Sequence, residues 1–224
     1  MSRKPREDVR KKILDTAESL FAQKGFDSTG IDLIAKTAGI TKSLIYYYFE
    51  SKDEILSKLF QDFISESIEI KKYITDNTMA DNSQFNIEKI LKDHTLPFLL
   101  SHKDIIKIAF TESVKDAPVT PHLNIFQYFD QNFQANFKLA DQYDIQYNKE
   151  FANLNGFFLF WAPLFSFVIF SDEWCDYYQC DLASVTALFV SEYAKMYKLL
   201  INPKSKNGHS LKKPVTTEKS NNDL

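Results

Sequence analysis

Glycine is scarce in this chain, five residues in 224, and cysteine scarcer still, with only Cys175 and Cys180. Two thiols separated by four residues, and far in sequence from the four histidines, leave no basis for a disulfide framework or a zinc centre. No metal and no cofactor is expected. Catalytic signatures are missing too: there is no G-x-S-x-G, no Gly-rich phosphate loop and no paired-His metal motif. Asp93 beside His94 is the nearest thing to a catalytic pair and reads as surface, so an enzyme is not expected. No apolar segment follows the first residues as it would in a signal peptide. The longest apolar run, FFLFWAPLFSFVIF over 157–170, is fourteen residues, short of the ~20 needed to span a bilayer. A cytoplasmic protein with no membrane partner is the expectation.

Aromatic residues are plentiful instead, with 20 Phe and 11 Tyr. A chain so poor in glycine and rich in rings is globular and mainly helical. Its length allows one large or two small domains with a sizeable core. The net charge of −3 is unevenly spread. Residues 1–52 carry 10 Lys/Arg against 7 Asp/Glu, a net of +3, so residues 53–224 carry −6. Local charge decides whether a surface suits a polyanion, and here the N-terminal quarter does.

The stretch from Ile31 to Phe49, IDLIAKTAGITKSLIYYYF, reads as helix, tight turn, helix. Ala35 is small enough for close approach, Gly39 suits a left-handed turn residue, and Ile40 and Ile45 plug the space between the helices. Thr41 is the natural N-cap of the second helix. On its wheel Ile45 and Phe49 share an inward face with Tyr48 at the edge, while Lys42, Ser43, Tyr46 and Tyr47 fall outside. One cation, one hydroxyl and two phenols make a surface suited to phosphates and base edges. Successive residues turn by about 100°, so three consecutive tyrosines cannot all be core.

The segment from about Arg10 to Leu59 resembles the N-terminal DNA-binding domain of the TetR family of transcriptional regulators. Ala35, Gly39, Ile40, Thr41, Lys42, Tyr46, Tyr47, Tyr48, Phe49 and Lys52 carry the resemblance. Two departures stand out. Gly30 occupies a position where Ser or Thr often opens the first motif helix, leaving Thr29 as the expected cap and phosphate donor. Leu44 stands where Thr is common, so a contact there would be apolar, to a thymine methyl. The DNA-contacting set is therefore Thr29, Thr41, Lys42, Ser43, Leu44, Tyr46, Tyr47, Tyr48 and Lys52. The resemblance also implies an effector site in the C-terminal region and a last helix pair that forms a four-helix bundle across a two-fold axis.

In chain order, Ser2–Arg6 is a basic arm placed to touch the DNA backbone, and a first helix carrying Val9, Ile13, Ala17, Leu20 and Phe21 ends at Gly25. Ser51-Lys52-Asp53-Glu54 has capping-box form and opens a long fourth helix to about Ile74, with Lys52 placed to grip a phosphate. Thr75–Gln84 reads as a polar loop. A helix over Phe85–Leu100 is interrupted near Pro97, and another runs from Ser101 to about Lys115. Thr120-Pro121 opens a helix bearing a column of Phe126, Phe129, Phe133 and Phe137. A helix from about Ile145 to Phe170, apolar all round, needs cover from a second subunit. The last helix is Asp181–Ile201, and 202–224 is a polar tail of disordered composition.

The expected fold is all-α: a three-helix helix-turn-helix DNA-binding domain over 1–52 and a helical effector-binding and dimerisation domain over 53–201. The expected function is a homodimeric repressor on an inverted-repeat operator of double-stranded DNA, released by a small hydrophobic effector. A DNA-anchored helical scaffold without an effector is the alternative. His94, Phe98, Phe110, Phe126, Phe129, Phe133, Asn155, Phe158, Trp161 and Phe165 are the candidate pocket residues, with Phe157, His102 and Tyr128 beside them. An aromatic stripe at helical spacing is more often plain core.

Overall fold

The computed structural model describes residues 4–80, 86–115 and 153–200, with 126, 129–131, 133, 134 and 138 between them. Every regular element among the described residues is a helix. The first three, α1 (Lys4–Lys24), α2 (Ile31–Ala38) and α3 (Lys42–Tyr48), form the head of the molecule. Helix α1 begins at Lys4, so most of the expected basic arm is helical. It ends where expected: Gly25 takes φ +84°, its N–H donates to Phe21 at 3.0 Å, and Phe26 folds back until its ring lies 5.0 Å from that of Phe21. Gly39 at φ +65° closes α2, and the Ile40 N–H returns to the Ala35 carbonyl at 3.0 Å. Ile34, Ala35, Ile45 and Phe49 are buried against Ile13, Ala17 and Phe21 of α1. Each large apolar side chain so buried contributes about 1.5–3 kcal/mol.

Helix α4 (Lys52–Ala80) closes that core with Ile55, Leu56 and Leu59, then leaves it. At 29 residues it is about 43 Å long. It continues past the expected end at Ile74 into the stretch expected as loop. The Thr75 hydroxyl donates to the Lys71 carbonyl at 2.9 Å and the Asn77 amide to Tyr73 at 2.7 Å. These side chains bond back onto their own helix rather than breaking it.

Helix α5 (Ile87–Ile90) runs through a π turn (Leu91–Thr95) into α6 (Leu96–Ser101), followed by α7 (Lys103–Ser113). A second π turn (Gly156–Trp161) leads into α8 (Ala162–Tyr178), and α9 (Leu182–Leu200) follows. Each π turn ends two residues before a proline, Pro97 or Pro163. Proline donates no N–H and its ring crowds the carbonyl one turn back, so the helix widens there instead of breaking. The Leu96 N–H accordingly reaches Leu91, and the Ala162 N–H reaches Phe157. In the second turn the Tyr193 hydroxyl of α9 donates to the Phe160 carbonyl at 2.7 Å.

Helix α8 extends to Tyr178, beyond the expected end at Phe170, and stops at Gln179 in the left-handed conformation, φ +53°. The final helix agrees with expectation, with Asp181 accepting from the Ser184 N–H at 2.8 Å. The helix Asn153–Tyr178 is long and apolar enough to cross a bilayer by length and composition. Its exposed far half nevertheless carries Asp172, Glu173 and Asp176, and Lys103 of α7 pairs with Asp172 at 2.6 Å. The Thr120-Pro121 cap, Tyr128, Phe137, the start of the helix at Ile145 and the tail from 202 lie outside the described residues.

Gly156 opens the second π turn because a ring occupies the space a side chain would need: a Cβ there would lie 2.3 Å from Phe133 Cε1. Phe133 is buried and has little room to yield. Gly156→Ala should destabilise the protein by about 1–3 kcal/mol in urea unfolding, with Phe133→Leu restoring part of the loss.

Candidate nucleic-acid interface and aromatic core

The outer face of α3 is assembled as its wheel dictates. Ile45 and Phe49 are buried, Tyr48 and Leu44 half-buried, and Lys42, Ser43, Tyr46 and Tyr47 exposed. Tyr46 and Tyr47 keep 50% and 62% of their surface open. Tyr48 sets its ring edge-on to Tyr47, centroids 5.1 Å apart, which steadies that side of the face. The Thr41 hydroxyl accepts from the Leu44 N–H at 3.3 Å and caps the helix as expected. Lys42 is paired in this state, its Nζ 2.9 Å from Asp32 Oδ1 in the first turn of α2. That hydrogen bond raises the lysine pKa, so the cation stays charged.

Two residues expected at the same surface are engaged elsewhere. Thr29 is fully buried: its hydroxyl donates to Gly25 at 2.9 Å and to Leu20 at 3.3 Å, tying the α1–α2 loop to the end of α1. The cap of α2 is Gly30, with no side-chain bond, so Thr29 is neither that cap nor placed to donate to a phosphate. Lys52 is turned inward as well. Its Nζ donates to the carbonyls of Phe26 at 2.9 Å and Thr29 at 3.3 Å, approaches that of Asp27 at 3.5 Å, and lies 4.3 Å from the centre of the Phe26 ring. An ammonium has three N–H groups, and this loop engages them, leaving none for a phosphate.

The same loop is held from the turn that follows α7. Lys115 Nζ lies 2.7 Å from Asp27 and 2.8 Å from both oxygens of buried Glu112. Burial opposes the charge on Lys115, but its bonds to Asp27 and Glu112 outweigh that and raise its pKa, while the bond from Lys115 lowers that of Asp27. Glu18 of α1 meets the start of α7, where burial and then Asp104 raise its pKa against a hydrogen bond from the Ile105 N–H. A polar cleft of about 460 Å³ opens along this α1–α4–α7 junction, with Arg10, Glu18, Glu66 and His102 in its walls.

The residues expected around a pocket divide into groups. Phe129, Phe133, Trp161 and Phe165 are buried together, with Phe110 edge-on to Phe165 and Phe157 edge-on to Phe129 at 4.6 Å. Phe126 touches Phe157 at 5.2 Å from a position more than half exposed. Phe98 is not part of this cluster: it stacks on Phe63 of α4 at 5.6 Å and 5°, with His102 tilted against it at 4.4 Å. His94 sits against Tyr73, Asn155 is half-buried just before the second π turn, and Phe158 faces outward. One residue with no aromatic signature was missed. Lys71 of α4 places its Nζ 4.7 Å from the centre of the Trp161 ring, buried and without a hydrogen-bond partner among the described residues. Burial lowers its pKa to about 7.

Because Lys52 holds carbonyls of the α1–α2 loop, Lys52→Met should lower the melting temperature by about 5 °C, with helical content unchanged by circular dichroism.

Residues 13–59 match the family described as bacterial regulatory proteins, tetR family. The chain is 33% identical over 109 residues to an HTH-type transcriptional regulator of Bacillus subtilis, YdgC, covering 46% of this chain and 53% of that one. It is 47% identical over 47 residues, 21% of this chain and 25% of the other, to IcaR of Staphylococcus aureus, a negative transcriptional regulator of a biofilm operon. It thus spans about half or less of the length of these curated relatives. The fold extends further: the transcriptional regulator FadR of Bacillus subtilis, solved in complex with stearoyl-CoA, superposes with a TM-score of 0.57 over 86% of this chain and 97% of that one, at 16% identity. The helix-turn-helix of residues 13–59 is thus similar to that of the TetR family of transcriptional regulators, and an all-helical body stands behind it.

Proposed function

We propose that this protein is a homodimeric, cytoplasmic repressor that binds an inverted-repeat operator through α3 and leaves it when an apolar effector enters the C-terminal helices. The observation that carries this reading is the exposed face of α3, where Lys42, Ser43, Tyr46 and Tyr47 stand clear of a fully packed underside. Lys42 exchanges Asp32 for a phosphate, Thr41 and Ser43 offer hydroxyls, Leu44 offers methyl contact, and the tyrosines supply hydroxyls and ring faces to the groove. The working division falls near residue 52, with α4 common to both parts: its first turns complete the head and its later turns reach the aromatic core.

A single short helix reads few base pairs, and a two-fold dimer sets two such helices about 34 Å apart in successive major grooves. Exposed apolar residues on α8 and α9 support that pairing. Phe170, Trp174, Tyr177 and Leu188 are exposed there, and Phe167 stacks on Phe189 at 4.0 Å to join the two helices into one face. A named repressor among the relatives supports the direction of control, and a fold neighbour solved with stearoyl-CoA supports an apolar effector. Release requires only that the effector prefer one of two head arrangements. The ties from α4 and α7 to the Asp27 loop are a physical route by which the body would bias the head.

Selection of bound sequences from random duplexes tests the reading directly: an inverted repeat should emerge, and its absence would refute operator recognition. On the selected site Tyr47→Ala and Lys42→Ala should each weaken binding by about 1–3 kcal/mol without loss of helicity. Lys52→Met should leave the salt dependence of binding to random DNA unchanged, since its ammonium neutralises no phosphate in this arrangement. Light scattering should give twice the 26.0 kDa chain mass, and Phe170→Asp with Leu188→Asp should give monomers.

A further inference from the structure

The inward stripe of α4 runs through Phe60, Phe63, Ile64 and Ser67 and continues one turn on at Lys71. Ser67 satisfies itself by donating to the Ile64 carbonyl at 2.8 Å. Lys71 has no such outlet among the described residues: its Nζ is buried with no hydrogen-bond partner there and lies 4.7 Å from the centre of the Trp161 ring. The nearby acidic side chains of α4, Glu69 and Asp76, are exposed on its other side. An aromatic face returns a small part of what an amine loses on leaving water, and an apolar residue in this register would be more stable. An anion arriving from outside would give this amine the partner it lacks among the described residues.

We propose that Lys71 is the anchor for the carboxylate of an amphiphilic effector whose apolar tail lies along the Trp161 cluster. Among the described residues the site has one cation and no second cationic donor beside it, which suits a singly charged head group rather than a phosphate needing several donors. Trp161 stacks on Phe165 at 27° and lies near Phe129, so an apolar chain entering beside the ammonium meets a continuous wall of rings. The lowered pKa of Lys71 fits the same picture, since an arriving carboxylate restores the charge that burial discourages. Seated on α4, the anchor couples the ligand to the helix whose first residue, Lys52, holds the head. This assignment rests on the reading of the C-terminal helices as an effector domain.

The test uses the full chain, with Trp fluorescence and calorimetry for binding. Hexanoate, decanoate and hexadecanoate are each compared with the alcohol of the same length, and decyltrimethylammonium serves as the cationic control. At least one carboxylate should bind about tenfold or more tightly than its alcohol, and the cation should not compete. Lys71→Met should abolish that preference while melting higher than the wild type at pH 6, a gain that shrinks as the pH rises from about 7 toward the ordinary lysine value. The sign follows from a folded-state pKa below the unfolded one, which makes the buried amine costly at low pH. Equal binding of carboxylate and alcohol, no carboxylate binding, or a preference surviving in Lys71→Met would overturn the assignment. If an alcohol alone binds and releases the selected operator, effector control stands and Lys71 is excluded. If a carboxylate binds through Lys71 without releasing DNA, the site stands and effector control falls.

Discussion

The ammonium of Lys52 against the carbonyls of the α1–α2 loop is the contact on which the placement of the head depends. Three helices totalling 36 residues form a small core, which α4 closes with Ile55, Leu56 and Leu59 and which one short loop, 25–30, ties to the remainder by polar contacts. From α4 comes Lys52, from the turn after α7 comes Lys115, and from within the loop the Thr29 hydroxyl ties back to Leu20 of α1. The Lys52 ammonium, half-buried against backbone carbonyls, is held more firmly than an ordinary surface pair, whereas the Lys115–Asp27 pair is open to solvent on the aspartate side. The loop is thus a junction where two helices of the body hold one edge of the head.

That junction gives α4 two duties with different chemistry. Its first turns are apolar toward α1 and complete a core; its later turns carry Ser67 and Lys71 among aromatic neighbours. A rigid rod of this length transmits a tilt at one end to the other. The cleft beside α1, walled by Arg10, Glu18, Glu66 and His102, lies at the same junction of α1, α4 and α7.

Much of the head was legible in the sequence because its signals are local. Gly39, Thr41 and the phase of Ile45 against Tyr46 each follow from one turn of backbone and one helical period, and the structure shows each of them. Lys52 and Thr29 were read as surface donors because a polar side chain near a helix start has the same signature whether it meets solvent or a carbonyl twenty-three residues away. The aromatic column resolved only in part: Phe98 and Trp161 lie at similar helical spacings from their neighbours, yet tertiary packing sends one to Phe63 and the other to Lys71. Lys71 was missed because a lysine on a helix carries a strong prior for water, and only its neighbours overturn that.

The two π turns have a consequence for reading any relative of this chain. Each inserts one residue beyond the α-helical count, which rotates everything downstream by about 100° relative to everything upstream. The hydrophobic stripe of residues 153–160 therefore cannot be extrapolated across Trp161 to α8, and phases of 87–90 do not carry over to α6. A homologue that lost a single residue in either turn would keep its composition and its proline, yet present a different third of the helix to its partner.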